Sequence, residues 1–222
     1  MADRGQADIY QNLLVPAIFA PWAKKLLRVA DLRPGERVLD LACGTGAVSR
    51  LAAERVGAEG RVLGVDVDPS MLGVARSLPS PEGATIEYRE GDAADLPADD
   101  ASVDIVVCQQ GIQFFPDRAG MLREARRVLV PGGRVAFSVW RGSNFSPAFQ
   151  AVIRAVEDHI GPDAAAARRR PMSFGDVAPF RVLLDEAGMV NAVVRIEVGL
   201  ARFPSIEALV KSQSGIWGLP ET

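Results

Sequence analysis

From Arg37 onward the chain alternates short apolar runs with amphipathic segments, and this alternation constrains the fold more than any other feature. Arg37-Val-Leu-Asp-Leu-Ala42, Arg61-Val-Leu-Gly-Val-Asp66, Ala84 to Arg89, Val103 to Cys108, Arg134 to Trp140 and Asn191 to Leu200 read as six strands. Between and after them Thr45 to Val56, Pro69 to Ser77, Asp117 to Leu129, residues 147–160 and 176–187, and Ser205 to Gln213 read as helices. Pro69 suits a first helical turn, and Pro131-Gly-Gly133 is read as the break between a helix and the fifth strand. Alternating strand and helix predicts an α/β fold: a doubly wound, mostly parallel sheet with helices on both faces. Upstream, residues 1–36 read as two short helical pieces punctuated by Pro16 and Pro21, with an apolar stripe through Leu13, Leu14, Ile18, Trp22, Leu26 and Leu27.

Composition narrows the function. At 222 residues the chain is expected to form one domain that buries roughly 70–75% of its unfolded surface without disulfides or metal. A 48% hydrophobic and 24% charged composition is that of a globular protein. A net charge of −3 argues against a broad basic face for nucleic acid. Two cysteines make neither a disulfide framework nor a zinc cage, so no metal is expected and a cytoplasmic setting is. No apolar run is long enough to span a bilayer, so no membrane partner is expected. The single histidine nearly excludes chemistry built on histidine pairs or a histidine-bearing triad.

In a sheet of this kind ligands bind at the carboxyl ends of the strands. The first strand runs into Asp40-Leu-Ala-Cys-Gly-Thr-Gly46, where Gly44 and Gly46 permit a tight turn and close approach to the backbone. The following helix offers unpaired N–H groups to a carboxylate or phosphate. Asp66 ends the second strand, where a carboxylate can accept both hydroxyls of a ribose; Asp68 before Pro69 suits a helix cap. Glu90-Gly-Asp-Ala93 follows the third strand, where Asp92 can accept from an exocyclic amine or simply close a turn. Cys108-Gln-Gln-Gly-Ile-Gln-Phe-Phe-Pro116 follows the fourth. The dinucleotide fingerprint requires a third glycine, and Gly44-Thr-Gly-Ala-Val-Ser49 has none. Asp40 would repel a pyrophosphate but suits an ammonium, which favours a ligand with an amino-acid end.

These motifs in this order resemble the class I S-adenosylmethionine-dependent methyltransferases. Val38 to Ala47 is similar to the first motif, Gly64 to Leu72 to the second, Glu90 to Pro97 to the third, Asp104 to Gly111 to the fourth, and Arg126 to Arg134 to the segment before the fifth strand. The likeness spans about residues 8–205 and is nearest to the methyltransferase-11/25 type, which is similar to the quinone-biosynthesis C-methyltransferases. It implies a Rossmann-like sheet, S-adenosyl-L-methionine as cofactor with S-adenosyl-L-homocysteine as product, and a small-molecule methyl acceptor; a homodimer is compatible with it. It further implies that Asp40 and the backbone at Cys43, Gly44 and Gly46 hold the methionine moiety and that Asp66 takes the ribose diol. Val67 and Met71 would flank the adenine, Asp92 accept its amino group with the Ala93 N–H near a ring nitrogen, and Gln109 lie near the methionine end. Gln110, Phe114 and Trp140 would border the methyl group and acceptor. Each of these residues also has a plain structural role open to it, as turn, cap or packing.

Methyl transfer from a sulfonium needs alignment more than acid–base chemistry, so no catalytic residue is required by the reaction itself. Two candidates for a general base are His159 and Tyr10. Cys43 and Cys108 read as small buried apolar groups, and Arg168-Arg-Arg170 as a solvated loop. Two further readings stand beside the enzyme: a cofactor-binding but catalytically silent regulator, and a nicotinamide-dependent oxidoreductase, disfavoured by Asp40 and the missing glycine. Along residues 1–222 the expected division is a helical cap over 1–36, a cofactor-binding core over 37–140, and substrate-side helices with the sixth strand over 141–222. Class I sheets carry seven strands in the order 3-2-1-4-5-7-6, whereas six are legible here, so the chain is expected to be shortened. Either the sixth strand should pair with the fifth, or a gap should mark the seventh position.

Overall fold

A computed structural model describes residues 4–172, 177–189 and 191–217. The N-terminal stretch comprises α1 (Arg4–Ile9), a π-helical segment (Tyr10–Phe19) and α2 (Ala20–Ala30). Then follow β1 (Arg37–Leu41), α3 (Ala47–Val56), β2 (Arg61–Asp66), α4 (Pro69–Ser77), β3 (Thr85–Glu90) and β4 (Val103–Gln109). After these come α5 (Arg118–Val128), β5 (Leu129–Ser138), α6 (Pro147–His159), α7 (Pro162–Arg169), α8 (Val177–Glu186) and α9 (Ile206–Trp217). The described residues form a five-stranded sheet in the order β3-β2-β1-β4-β5, with every pair parallel.

The sheet is covered on both faces because its strands are apolar on both. Val38, Val62, Ile105 and Val107 pack with Leu26 and Leu27 of α2 and Ala52 and Val56 of α3. Leu39, Val65, Val106 and Cys108, one or three residues along the same strands, point the other way, onto Met121, Leu122, Ala125 and Val128 of α5 and Leu184 of α8. Fully burying one such aliphatic side chain contributes roughly 1.5–3 kcal/mol. Chain order reverses at β1, which sits between β2 and β4, so the ligand crevice belongs at the carboxyl ends of β1 and β4.

Four expectations are corrected. The N-terminal residues form one continuous helical stretch, not two pieces. Pro16 has no N–H to give and its ring crowds the preceding turn, and the helix widens around it: the Ala20 N–H reaches back five residues to Val15 O. Pro21, in the first turn of α2, interrupts nothing. Second, β5 begins at Leu129 rather than Arg134; Pro131-Gly-Gly133 is a bulge within it, seen where the register with β4 jumps from Val103↔Leu129 to Ile105↔Arg134. β5 ends at Ser138, so Trp140 falls beyond the strand.

Third, residues 191–200 form no strand, and Val193, Ile196, Val198 and Leu200 are exposed. Residues of this segment and of β5 line one groove of about 1200 Å³, and the sheet ends at β5. The gap, rather than direct pairing of a sixth strand with the fifth, is the arrangement observed. Fourth, Arg168 is no part of a solvated loop: it sits on α7, 1% exposed, with its guanidinium on Gln213 of α9. The helix expected from 176 starts at Val177, position 176 lying outside the described residues.

Two ion pairs brace the opposite end of the sheet. Arg134 forks onto Glu36 (2.7 and 2.9 Å) and donates to Ala30 O (2.9 Å), tying β5 to the end of α2. Arg37 forks onto Asp104 (3.0 and 2.9 Å). Hydrogen bonds from Arg134 hold Glu36, and from Arg37 hold Asp104, below their ordinary values of 4.5 and 3.8. The stabilisation from such lowered carboxyls is complete above those ordinary values and is lost as pH falls through the folded-state values. Arg134→Met should therefore lower the thermal midpoint more at pH 7 than at pH 3. Equal losses in melts at the two pH values would rule out this linkage.

Candidate active site

The turn after β1 is built from backbone that most residues resist. Ala42, Gly44 and Gly46 all have positive φ (56°, 55° and 83°). The turn is held by Cys43 N–H on Val65 O (3.0 Å) and Gly46 N–H on Cys43 O (2.9 Å). Gly46 precedes α3 with no side chain to cap it. Asp40 replaces that cap from inside the sheet: it is 1% exposed, its Oδ2 accepts from the Ser49 hydroxyl (2.5 Å), and the Ser49 N–H also bonds the carboxylate. Its Oδ1 is buried and unpartnered. Burial drives the Asp40 carboxyl up to about 7 against the two Ser49 hydrogen bonds, with Asp66 adding to the rise.

Asp66 joins the first two motifs. Its Oδ2 accepts from the Gly44 N–H (2.7 Å) and its Oδ1 from the Asp68 N–H (2.9 Å), while Asp68 Oδ1 caps α4 through the Ser70 N–H (2.9 Å). Each carboxylate oxygen carries two lone pairs, so Asp66 keeps acceptor capacity for a diol. Val67, next to it, is 66% exposed, and Met71 is half-buried on α4. Asp92 closes its own turn by accepting from the Ala94 N–H (2.8 Å), and Ala93 beside it is half-buried. The turn and cap roles open to these carboxylates are thus real, and they leave Asp40 Oδ1 as the buried acceptor with nothing to accept from.

At the end of β4, Gln109 donates from Nε2 to Phe19 O (2.9 Å), fastening the N-terminal helix over the strand ends. Gln110 has φ 58° and donates its N–H to Ser138 O at the end of β5 (2.9 Å). Gln109 Oε1, Gln110 Oε1 and Ser138 Oγ are all buried without partners. A strained residue flanked by orphaned acceptors at strand ends is the pattern of a ligand site. Tyr10, stacked on Phe19 (4.8 Å between centroids), places its hydroxyl 3.8 Å from where a Cβ on Gly44 would stand. Burial, then Asp66, Asp40 and Cys43, push that hydroxyl far above the ordinary tyrosine value, so at neutral pH Tyr10 is a hydrogen-bond donor and not a base.

The remaining candidates scatter. Phe114 is 49% exposed on the short 3-10 turn Ile112–Phe114. Trp140 packs edge-on against Trp22 (5.7 Å) and lines the groove beside β5 together with Gln110, Ser138 and Met172. His159 is exposed at the end of α6, an element that carries none of the strand-end residues. Cys43 and Cys108 are free, buried thiols; burial raises both, Cys108 to about 12.

Two residues escaped the sequence reading. Ser49 lies on the buried stripe of α3 with Val48, Ala52, Ala53 and Val56, and a polar residue within such a stripe is the signal that could have found it. Tyr88 of β3 passes under the glycines: a Cβ on Gly46 would stand 2.2 Å from its hydroxyl, and one on Gly64 2.7 Å from its ring. Only the strand pairing shows this.

A parallel five-stranded sheet with a glycine turn and carboxylates at successive strand ends defines a Rossmann-like nucleotide-binding class. The sequence matches the Methyltransf_25 family, a methyltransferase domain, over residues 38–133. It is 34% identical over 206 residues to a nocamycin O-methyltransferase of Saccharothrix syringae, covering 86% of this chain and 72% of that one. It is 37% identical over 135 residues to a 2-phytyl-1,4-naphtoquinone methyltransferase of Synechococcus elongatus, covering 59% and 58%. The fold is shared with an S-adenosylmethionine-dependent methyltransferase of Aquifex aeolicus (TM-score 0.57, 20% identity, 82% and 85% covered). The chain belongs to the S-adenosylmethionine-dependent methyltransferase family, and it spans 58% of the length of the quinone methyltransferase it matches. Among the described residues no helix is long and apolar enough to cross a membrane.

Proposed function

We propose that this chain transfers a methyl group from S-adenosyl-L-methionine to a small-molecule acceptor. The observation that carries the reading is the buried, unpartnered Oδ1 of Asp40 beside the positive-φ glycine turn: it suits an ammonium and repels a phosphate. The residues fit this cofactor. In this reading Asp40 takes the ammonium, the Gly44 to Gly46 backbone follows the methionine, Asp66 accepts the ribose hydroxyls, and Asp92 and Ala93 meet the adenine between Val67 and Met71. Tyr10 donates from above the turn, and Gln109 fixes the N-terminal helical stretch as a cap. The bound cofactor supplies a methyl carbon on a positively charged sulfur, open to in-line displacement. Gln110, Ser138 and Trp140 orient the acceptor, and alignment of this kind contributes roughly 7–11 kcal/mol to a bimolecular step. The net charge of −3 supports an acceptor other than nucleic acid, and two free buried cysteines suit a reducing cytoplasm.

Calorimetric titration should show binding of S-adenosylhomocysteine and none of NADH, and radiolabelled methyl transfer into a small-molecule extract should identify the acceptor. Binding of NADH alone would reverse the assignment. Homocysteine-product binding with no transfer to any acceptor would make the chain a silent regulator.

A further inference from the structure

We propose that Ser49 is the positioning residue for Asp40: its hydroxyl pins Oδ2, leaving Oδ1 presented to the ammonium of the ligand. This rests on the cofactor reading above. The geometry is specific. Ser49 is fully buried in the first turn of α3, its Oγ lies 2.5 Å from Asp40 Oδ2, and the two residues come from elements joined by the glycine turn itself. Ser49 thereby ties the aim of the carboxylate to the position of the helix that frames the turn. Behind it the Tyr88 hydroxyl is buried, faces Ser49, and has no hydrogen-bond partner of good geometry. Tyr88 fills the space beneath Gly46, the residue that opens α3.

The surroundings make the serine hydroxyl matter. The groups facing Asp40 are Asp66 from β2, Cys43 from the turn, Tyr10 from the N-terminal helix, Tyr88 from β3 and Cys108 from β4. None is a cation. Arg50 acts on Tyr88 and Arg76 on Cys43 rather than on Asp40. Both tyrosines and both thiols are pushed upward and stay neutral near pH 7, so Asp66 is the second carboxylate of the site. The ionised form of Asp40 therefore depends on hydrogen bonds, and Ser49 supplies them.

The test is calorimetric titration of S-adenosylhomocysteine between pH 6.5 and 8.5. Losing a hydrogen bond to a charged group moves the midpoint of the binding profile up by about one pH unit or more. Ser49→Ala should bind about tenfold more weakly than wild type at pH 6.5 and within about twofold at pH 8.5. Ser49→Thr, which keeps the hydroxyl, should restore the wild-type profile, and Asp40→Asn should remove the pH step altogether. Should the alanine variant unfold, Ser49→Cys, a weaker donor of similar size, should shift the profile in the same direction. A loss of equal size at every pH, or no loss, overturns the proposal by making Ser49 a packing residue. Wild-type protein that binds no S-adenosylhomocysteine at any pH overturns the cofactor reading along with it. Wild-type binding matched by Asp40→Asn overturns the role of Asp40 and the proposal, but not the cofactor.

Discussion

Asp40→Asn is expected to weaken S-adenosylhomocysteine binding at pH 8 by about a hundredfold or more, while leaving the free protein at least as stable as the wild type. Truncating one partner of a buried, hydrogen-bonded charge pair costs about 2–5 kcal/mol, and each 1.4 kcal/mol is about tenfold in affinity. Stability moves the other way. Asp40 is raised from 3.8 to about 7 by burial, so the folded protein holds that proton more tightly than the unfolded chain. The carboxyl costs the fold nothing below pH 3.8; the cost grows between the two values and is complete above pH 7. Asparagine stays neutral, and its carbonyl can still accept from Ser49. Chemical denaturation should place the variant at or above wild type at pH 8 and level with it at pH 4. A variant that binds within threefold of wild type would remove Asp40 from the site.

Gly46→Ala is expected to destabilise the protein by roughly 3 kcal/mol and to abolish ligand binding. Two costs add. A side chain at φ 83° carries about 1–2 kcal/mol of backbone strain. The new Cβ would also stand 2.2 Å from the Tyr88 hydroxyl and 3.0 Å from the ring carbon bearing it, and overpacking of this kind costs about 1–3 kcal/mol. Tyr88→Phe placed in the Gly46→Ala background should recover about 1 kcal/mol by relieving the contact, leaving the backbone strain. Urea unfolding of the four proteins in this cycle measures both parts. Additivity of the two substitutions would show that Tyr88 does not press on the turn.

The residues that were legible share a cause. The strands β1, β2 and β4 are short apolar runs bounded by turn residues, and their ends carry Asp40, Asp66 and Gln109 at positions that follow from local chain direction. The double role of Asp66, ribose acceptor or turn-former, was also open in the sequence, and its bonds to Gly44 and Asp68 show the turn-forming part directly. Ser49 and Tyr88 were not legible as site residues. Each is an ordinary residue of its own helix or strand: Ser49 meets Asp40 only because the glycine turn folds α3 back onto β1, and Tyr88 reaches the glycines only because β3 pairs with β2.

Taken alone, the sequence determined the first four strands, the later part of the fifth, the two apolar faces and the glycine turn. These depend on side-chain period and on φ, which are properties of a few adjacent residues. Tertiary structure decided the rest. Residues 191–200 have the alternation of a strand but form none, because a ladder needs a neighbouring backbone in register, which no local pattern can supply. Arg168, one of three consecutive arginines that look solvated in the sequence, is buried because α9 brings Gln213 to meet it. Asp40 is an acidic residue of the first motif by its sequence; its burial, with Ser49 on one oxygen and no partner on the other, is set by the tertiary structure alone.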